Sequence, residues 1–299
     1  MSVLDLSICI VTHNTREMLR DCLESLYRAG DRASFEVLIV DNHSQDGTLE
    51  LLRTQYPQVQ LTCLDHNAGY TLPMNLGLRA GKGRYLMQLN PDTLVSPGML
   101  DALLAYMDAH PHVGIATPKV LNQDGSLQKQ CRRSAARPWD VLTYFSGLSR
   151  LFPRSRTFAG YLMTYYGENE VHAAEAVSGS CMLIRRAVVE QIGYLDEAYF
   201  AYQEDTDFCF RARQAGWQVM YLPFTSIIHY GGRGGSRVQP YRGILQWHRS
   251  YYLYYHKHLA RDYIFLVNWA MDALMAGKLG LALLVNLLRK EKIVGSRKP

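Results

Sequence analysis

The sequence predicts an α/β protein in which a mostly parallel, Rossmann-like central sheet carries helices on both faces. Three observations support this prediction. Short apolar runs alternate with amphipathic stretches early in the chain, an order that is typical of parallel strands joined by crossover helices. Polar side chains directly follow several of these runs. Residues 241–299 then change in composition and predict a helical C-terminal extension.

The first part of the chain predicts the order β-α-β-α-β-α-β. Apolar, strand-like runs occupy residues 6–11, 35–40, 59–64 and 85–89. The run at 85–89 is apolar almost throughout, which is expected for a strand covered on both faces. Apolar residues at helical spacing separate the runs and predict three helices, and Thr15 is positioned to cap the first one.

The middle of the chain is expected to alternate strands and helices less regularly. Pro97 predicts the first turn of a helix that ends at about Ala109. Residues 113–120 predict a strand, and the turn signal that follows predicts a hairpin. The remaining predictions are a turn at 122–125, a returning strand at 127–132, a helix plus a mobile loop at 133–175, strands at 177–184 and 218–222, a helix through 188–192, a helix with an acidic start at 204–207, and a glycine-rich turn at 231–235.

The C-terminal extension allows two interpretations. Residues 263–288 are long and apolar enough to span a bilayer, but Asp272, Lys278 and two glycines disfavour a spanning helix. The favoured interpretation is an amphipathic helix in the membrane interface, with a basic tail on anionic headgroups. That tail contains Arg289, Lys290, Lys292, Arg297 and Lys298. The alternative is an ordinary packed helical hairpin.

Composition excludes several classes of protein. With 299 residues, of which 48% are hydrophobic and 20% charged, the chain is long enough for one large or two small folded domains. A net charge of +5 is too small to indicate nucleic-acid binding. Six scattered cysteines predict reduced thiols in a cytosolic protein, and the N-terminus lacks the basic start of a secretion signal. Neither a dinucleotide-binding nor a P-loop fingerprint occurs.

Polar groups just beyond the predicted strands indicate a binding crevice. The carboxyl ends of parallel strands meet at one edge of a sheet, where α/β proteins bind ligands. Pro91 fixes its own φ and favours extended geometry at Asn90, so Asp92 is held beyond the strand end. A carboxylate there can help bind a divalent cation together with diphosphate oxygens. His229 could add a ligand, although a lone histidine is more often structural. The side chains at strand ends are Thr12, Asn14, Asp41, Asn67 and Asp92.

Two later segments suggest the chemistry. Glu204 and Asp205 belong to an acidic run that is either a solvated helix start, stabilised by the helix dipole, or a source of catalytic carboxylates. In a crevice, such a carboxylate can deprotonate an attacking hydroxyl. Gly179 lies inside an apolar run and indicates close approach of the backbone to another group.

Seven segments, taken in order, resemble one known family. They are residues 7–14, 40–48, 67–77, 89–93, 179–186, 204–211 and 229–232. This series resembles family 2 glycosyltransferases of the GT-A fold, and it is most similar to the rhamnosyltransferase-like branch that acts in O-antigen and other cell-surface polysaccharide synthesis. The resemblance implies a GT-A catalytic domain over residues 1–240, with a nucleotide-sugar-binding half at 1–120 and an acceptor-side half at 121–240. Residues 241–299 form the extension.

The resemblance also implies roles on the donor side. Thr12 and Asp41 would contact the base and ribose, with Asn14 and Asn67 in the same pocket. Asp92 would be the last residue of a D-x-D-like motif that binds Mg²⁺ or Mn²⁺ and the diphosphate. Here the motif reads Asn90-Pro91-Asp92, so its first carboxylate is missing and Asn90 takes that place. His229 matches a position that ligates the metal in some relatives.

On the acceptor side, the resemblance implies that Asp205 is the general base of an inverting displacement, with Glu204 the second candidate. Gly179 and Ser180 would lie near the acceptor. The donor would be dTDP-L-rhamnose or, next, a UDP-sugar, and the acceptor a hydroxyl of a lipid-linked or growing saccharide. The protein is expected in the cytoplasm, peripheral on the inner membrane.

Two other functions are compatible with the residues alone. A nucleotidyltransferase could use the same kind of sheet and would release pyrophosphate. A non-catalytic subunit of a membrane polysaccharide complex could keep the fold without turnover, although the presence of both Asp92 and Asp205 argues against it.

Overall fold

The computed structural model describes residues 4–231 and 240–288. The glycine-rich segment after Gly231 and the basic tail from Arg289 onward lie outside the described residues.

Parallel strands and three helices form the first part of the fold, as the sequence predicts. β1 is the centre of this unit: β2 and β4 flank it in parallel, and β3 pairs with the far side of β2. All four strands therefore end at the same edge of the sheet. The elements are β1 (Leu6–Thr12), α1 (Arg16–Arg28), β2 (Phe35–Asp41), α2 (Thr48–Gln55), β3 (Gln60–Cys63), α3 (Thr71–Ala80) and β4 (Tyr85–Leu89).

The remaining elements extend this sheet and add the C-terminal helices. In chain order they are β5 (Thr93–Val95), α4 (Met99–Ala109), β6 (Val113–Leu121), β7 (Arg132–Arg133), α5 (Pro138–Phe145), α6 (Leu148–Leu151), β8 (His172–Ala173), β9 (Ala176–Val177), β10 (Cys181–Arg185), α7 (Arg186–Ile192), α8 (Glu204–Gln214), β11 (Gln218–His229), α9 (Pro240–His258) and α10 (Phe265–Leu288). The segment 133–175 thus contains two helices and β8.

One sheet runs through both halves of the chain, in the order β3-β2-β1-β4-β10-β6-β11-β5, with β8 also paired to β11. β10 lies antiparallel between β4 and β6, while β6 and β11 are parallel. Apolar side chains cover both faces. Ile8 and Ile10 pack against α1, α2 and α4, and Cys9 packs against α3. This arrangement confirms the predicted α/β class.

The hairpin predicted after β6 is wrong beyond its turn. The turn forms, with the Gly125 N–H donating to the Asn122 carbonyl oxygen at 3.0 Å. After the single bridge between Leu121 and Leu127, however, the chain enters a short 3₁₀ helix, Lys129–Cys131. The returning chain adds only the hydrogen bond from the Gln128 N–H to the Val120 carbonyl oxygen, at 2.8 Å. The 3₁₀ helix then leads into β7, which pairs with β9 in the separate two-stranded sheet.

The starts of two helices also differ from their predictions. Thr15 occupies the N-cap position of α1 but makes no capping hydrogen bond with its side chain. The Arg16 N–H instead donates to Asp46 Oδ2 at 2.9 Å, so a neighbouring loop caps the helix. Pro97 lies before α4, which begins at Met99 after Gly98 with φ of 70°. The sequence between β4 and α4 also forms the short strand β5, which was not predicted.

The strand predicted at 177–184 is divided at Gly179. β9 ends at Val177 and pairs with β7 in a separate two-stranded sheet, whereas β10 starts at Cys181 in the main sheet. β11 is longer than the predicted 218–222, because a register shift between Leu222 and Ser226 lets it continue along β6 to His229. Both changes bring chain segments to the strand-end edge of the sheet.

The C-terminal extension packs on the core through α9. Tyr251 and Tyr254 are buried, and their hydroxyls donate to the carbonyl oxygens of Ala136 and Ala135, each at 3.0 Å. Met271 and Met275 of α10 are buried against α9. The two helices therefore form a packed hairpin, while much of the outer side of α10 stays exposed. A buried apolar side chain of this size contributes about 1.5–3 kcal/mol.

Asp207 ties α9 to α8. This carboxylate is fully buried, so the solvated helix start considered for this run is wrong. It accepts hydrogen bonds from Lys257 Nζ at 2.6 Å, His258 Nε2 at 2.6 Å and Arg211 Nε at 2.7 Å. Burial alone would raise the pKa of Asp207, but these hydrogen bonds and charges outweigh burial and hold that pKa below its ordinary value.

Replacing Asp207 with asparagine is expected to lower the free energy of unfolding at pH 7 by about 3 kcal/mol, because the cations around it lose their buried counter-charge. The folded-state pKa of Asp207 is depressed, so its contribution is complete above the unfolded pKa of about 4 and is lost as the pH falls further. The difference between wild type and Asp207→Asn should therefore shrink on acidification. Denaturant unfolding at a series of pH values measures this. The exposed Asp262→Asn serves as the control, and equal stabilities at pH 7 would contradict the assignment.

Candidate active site

A cavity of about 570 Å³ opens at the carboxyl ends of the parallel strands. It is bounded on one side by the loops after β1, β2 and β4, and on the other by α8 and α9. The residues that line it include Asn67, Asn90, Asp92, Gly179, Ser180, Glu204, Asp205 and His229. The structure thus brings most of the predicted site residues to one place.

Asp92 and His229 form one corner of the cavity. His229 Nε2 lies 3.2 Å from Asp92 Oδ1. The other ring nitrogen, Nδ1, lies 2.9 Å from Gln128 Oε1, and the Gln128 amide nitrogen donates to the His229 carbonyl oxygen. That second bond fixes the amide orientation, so His229 Nδ1 must carry the hydrogen and donate to Gln128.

The hydrogen bonds of Asn90 also bear on the His229 ring, because they place a donor beside Nε2. Oδ1 of Asn90 accepts a hydrogen bond from the Tyr70 hydroxyl at 3.0 Å, which turns its Nδ2 towards His229 Nε2 at 3.4 Å. Nε2 of His229 therefore lies between the Asn90 amide and a carboxylate oxygen of Asp92 in this corner. Two electron-rich atoms that face each other in this way suit a divalent cation, although the described residues contain no group of three such ligands.

Asp205 stands on the α8 side of the cavity and is firmly oriented. Its Oδ2 accepts from Arg133 Nη2 at 2.8 Å and from the Gly179 N–H at 3.1 Å. Its Oδ1 accepts from the Thr206 N–H at 2.7 Å. The side chain is 8% exposed and lines the cavity. A carboxylate so held can reach a hydroxyl in the cavity without first reorienting.

Glu204 differs from Asp205 in its surroundings. Its Oε2 is buried without a hydrogen-bond partner among residues 4–231 and 240–288. Burial, together with the charge of Asp205, raises the pKa of Glu204 well above its ordinary value. These surroundings favour the protonated form, which can donate a hydrogen bond.

Gly179 makes the close approach that the sequence predicts. A Cβ atom at this position would overlap the Gln88 amide nitrogen and would lie 3.7 Å from Asp205 Cβ. Ser180 is 2% exposed, and its hydroxyl has no partner within the described parts of the chain. These two residues form the floor of the cavity beside Asp205.

The predicted nucleotide-side residues are less uniformly placed. Asn67 lines the cavity and accepts from Asn42 Nδ2 at 3.2 Å. Thr12 and Asp41 are buried at the ends of β1 and β2, next to the cavity and not in its lining. Oδ1 of Asp41 has no described partner. Asn14 lies on the exposed turn after β1, where its Oδ1 accepts the Gln45 N–H.

Several lining residues were not predicted from the sequence. Arg133 lies in the segment interpreted as a helix and loop, and nothing in its sequence surroundings relates it to Asp205. Tyr70 and Phe200 form part of the wall near Gly69, where a Cβ would collide with the Phe200 ring. α9 contributes the side chains Arg242, Gln246 and Trp247. The only sequence signal for these three is the aromatic and basic composition of that helix.

Comparison with known proteins agrees with this geometry. A sequence model of the family described as "Glycosyl transferase family 2" matches residues 7–193. An N-acetylglucosaminyl-diphospho-decaprenol L-rhamnosyltransferase of Mycobacterium tuberculosis is 30% identical over 260 residues, which cover 83% of this chain and 83% of the relative.

Solved structures support the same fold. TarS of S. aureus matches 86% of this chain and 40% of its own with a TM-score of 0.56 and 18% identity. A mannosyltransferase from Pyrobaculum calidifontis, in complex with GDP-Man and Mn²⁺, matches 95% of this chain and 71% of its own with a TM-score of 0.56 and 16% identity. At these identities the likeness shows the fold, which is GT-A. From the family match over residues 7–193 and the rhamnosyltransferase among its relatives, the chain belongs to glycosyltransferase family 2.

Proposed function

We propose that this glycosyltransferase works by inversion and moves a sugar from a nucleoside-diphosphate sugar to a hydroxyl of an acceptor. The observation that carries the proposal is one cavity with an oriented carboxylate, Asp205, on one side and the Asp92–His229 corner on the other. An in-line displacement needs a proton acceptor for the attacking group and a place for the departing diphosphate. Asp205 would accept the proton on one side of the cavity, and the Asp92–His229 corner would hold the departing diphosphate on the other.

The donor is proposed to bind along the strand-end side. One buried oxygen of Asp41 has no partner among residues 4–231 and 240–288, which suits a ribose hydroxyl or a base N–H because buried acceptors are normally satisfied. Thr12 lies beside Asp41 at the end of β1, and Asn14 and Asn67 follow the ends of β1 and β3. Asn90 and Asp92 would then face the diphosphate.

A divalent cation, Mg²⁺ or Mn²⁺, fits the corner between Asp92 and His229. The lone pair on His229 Nε2 and the carboxylate oxygen 3.2 Å away are suitable donors, and diphosphate oxygens would provide others. When bound, such an ion supplies neutralisation of the charge that develops on the departing diphosphate.

Asp205 is proposed as the general base. The acceptor hydroxyl gives its proton to Asp205 and forms a bond to the anomeric carbon, while the bond from that carbon to the diphosphate oxygen breaks on the opposite face. One displacement inverts this centre and releases a nucleoside diphosphate. Protonated Glu204 is suited to donate a hydrogen bond to a substrate oxygen, and Gly179 and Ser180 would lie beneath the acceptor.

The proposed donor and acceptor follow the activity named for one of the relatives. The Mycobacterium tuberculosis relative is named as an L-rhamnosyltransferase acting on N-acetylglucosaminyl-diphospho-decaprenol. We therefore propose dTDP-L-rhamnose as the first donor to test, UDP-sugars as the second, and a lipid-linked or growing cell-surface saccharide as the acceptor.

A membrane-surface location fits the outer side of α10. By length and composition α10 could cross a membrane. An 18-residue stretch of this helix has a mean hydropathy of 1.6, and 17% of that stretch is buried in the protein. Packing of Met271 and Met275 on α9 favours a helix that lies along the protein. Phe265 and Trp269 are at least 70% exposed on its outer side. We propose that this side rests on the cytoplasmic face of the inner membrane.

Asp205→Asn is expected to lower turnover by about 10²–10⁴-fold, the usual contribution of a general base, while donor binding is retained. Turnover is measured as release of nucleoside diphosphate with dTDP-L-rhamnose or UDP-sugars and a lipid-linked saccharide acceptor. Donor binding is measured by thermal shift.

Two controls accompany this variant. Glu204→Gln keeps a hydrogen-bond donor and should lose less activity than Asp205→Asn. Chromatography of the products separates nucleoside diphosphate from pyrophosphate, which a nucleotidyltransferase would release. A near-normal rate for a folded Asp205→Asn protein would rule out the assignment of the base.

Removal of divalent cations with EDTA should abolish activity, and Mn²⁺ or Mg²⁺ should restore it. His229→Ala is expected to raise the Mn²⁺ concentration needed for half-maximal activity by about tenfold or more, because a ligand to the ion is lost. His110→Ala, on the exposed surface, is the matched control. Full activity in EDTA would contradict the proposed cation site.

The double variant Phe265→Glu/Trp269→Glu should bind vesicles that contain anionic phospholipid at least about tenfold more weakly than wild type, since charges replace side chains that enter the interface. Vesicle flotation measures the bound fraction. Phe224→Glu, which changes an exposed aromatic residue of β11 beside Tyr106, should float like wild type. If the double variant also floats unchanged, α10 does not form the membrane contact.

A further inference from the structure

Lys278 is a cation in unusual surroundings. It lies in the apolar helix α10, and its Nζ is 3.3 Å from the centroid of the Trp247 ring and 4.5 Å from that of Phe145. No carboxylate forms an ion pair with it in the part of the chain that the structure describes. Burial lowers the pKa of Lys278 to about 8. Aromatic faces compensate only partly for a desolvated ammonium, so this position favours an anionic partner.

Trp247 connects Lys278 to the active site. Its side chain lines the large cavity together with Asp205 and also lines a small apolar cavity beside Phe145 and Met275. Lys278 itself lines neither cavity, so an anion held there would lie against the Trp247 side chain, which forms part of the α9 wall of the large cavity.

Apolar surface continues outward from this point. On α5, Phe145 and Leu142, three residues before it, are both exposed, and on α6 Leu151 is 73% exposed. On α10, Leu281 and Leu284 follow Lys278 by three and six residues and are also exposed. A cation between a polar cavity and an apolar surface matches a ligand that has a sugar, a phosphate and a hydrocarbon chain in that order.

We propose that Lys278, with Trp247, binds the diphosphate of a lipid-linked acceptor and so directs the acceptor sugar towards Asp205. The hydrocarbon chain would lie along the surface formed by α5, α6 and α10. This inference rests on the proposed transfer to a lipid-linked acceptor and deepens it by assigning the phosphate subsite. Lys278 is a binding residue here and takes no part in proton transfer.

Farnesyl diphosphate and farnesol test the subsite without any need for turnover. Their dissociation constants are measured with full-length wild type, Lys278→Met, Lys278→Arg and the exposed control Lys82→Met, in an excess of UDP that occupies the donor's diphosphate position. We expect Lys278→Met to weaken farnesyl diphosphate binding by about tenfold or more, the loss of one charge-assisted contact. Lys278→Arg and Lys82→Met should stay within about threefold of wild type on the same scale, and farnesol binding should not change with Lys278→Met.

Three outcomes would overturn the proposal. The first is unchanged binding of farnesyl diphosphate to Lys278→Met, and the second is an equal loss of farnesol binding, which would mean that Lys278 only supports the local structure. The third is displacement of the probe by phosphatidylglycerol vesicles with the same dependence on Lys278, which would assign the site to membrane phospholipid. The test measures binding and needs no turnover. Failure to turn over any sugar donor would therefore refute the proposed function, whereas the binding constants alone decide whether Lys278 holds the diphosphate.

Discussion

The proposed active site depends on the fixed position of the Asp205 carboxylate. The hydrogen-bond donors of this carboxylate come from segments far apart in the chain: Arg133 in β7, Gly179 between β9 and β10, and Thr206 on α8. These segments meet because β10 is inserted antiparallel next to β4, which brings Gly179 against Gln88. Any side chain at position 179 would push this loop away from β4 and release one donor from Asp205. The sheet order thus determines the orientation of the proposed base.

Three carboxylates in the first turn of α8 have different surroundings, although they are chemically similar. Asp205 faces the cavity and accepts from Arg133, whereas Oε2 of Glu204 is buried without a hydrogen-bond partner among the described residues. Asp207 is held by Lys257 and His258 of α9. The contact of Asp207 joins the C-terminal extension to the helix that carries Asp205. Because α9 also contributes part of the cavity wall, the extension is a component of the site and not an appendage to it.

The sequence allowed the first four strands, their parallel order and the strand-end cluster to be predicted, because each is encoded locally by apolar runs and the polar turns after them. The hairpin after β6 could not be judged locally, since the returning chain leaves β6 to pair as β7 with β9, more than 40 residues further along the chain. Arg133 and Trp247 were missed for the same reason: their roles arise from contacts more than 40 residues away. The buried state of Asp207 likewise depends on α9, which the acidic run itself does not reveal.

The opposite corner of the cavity has a different charge balance. Asn90 accepts from Tyr70 and turns its amide towards His229, so a single carboxylate, Asp92, supplies the fixed negative charge there. A second carboxylate at position 90 would place like charges close together in a buried corner, which raises the pKa of one of them. A nucleoside diphosphate brings its own negative charge, so the proposed divalent cation, if held by Asp92 and His229, would reach charge balance only with the donor present. On this proposal the cation binds together with the donor, whereas the hydrogen bonds that orient Asp205 form without substrate.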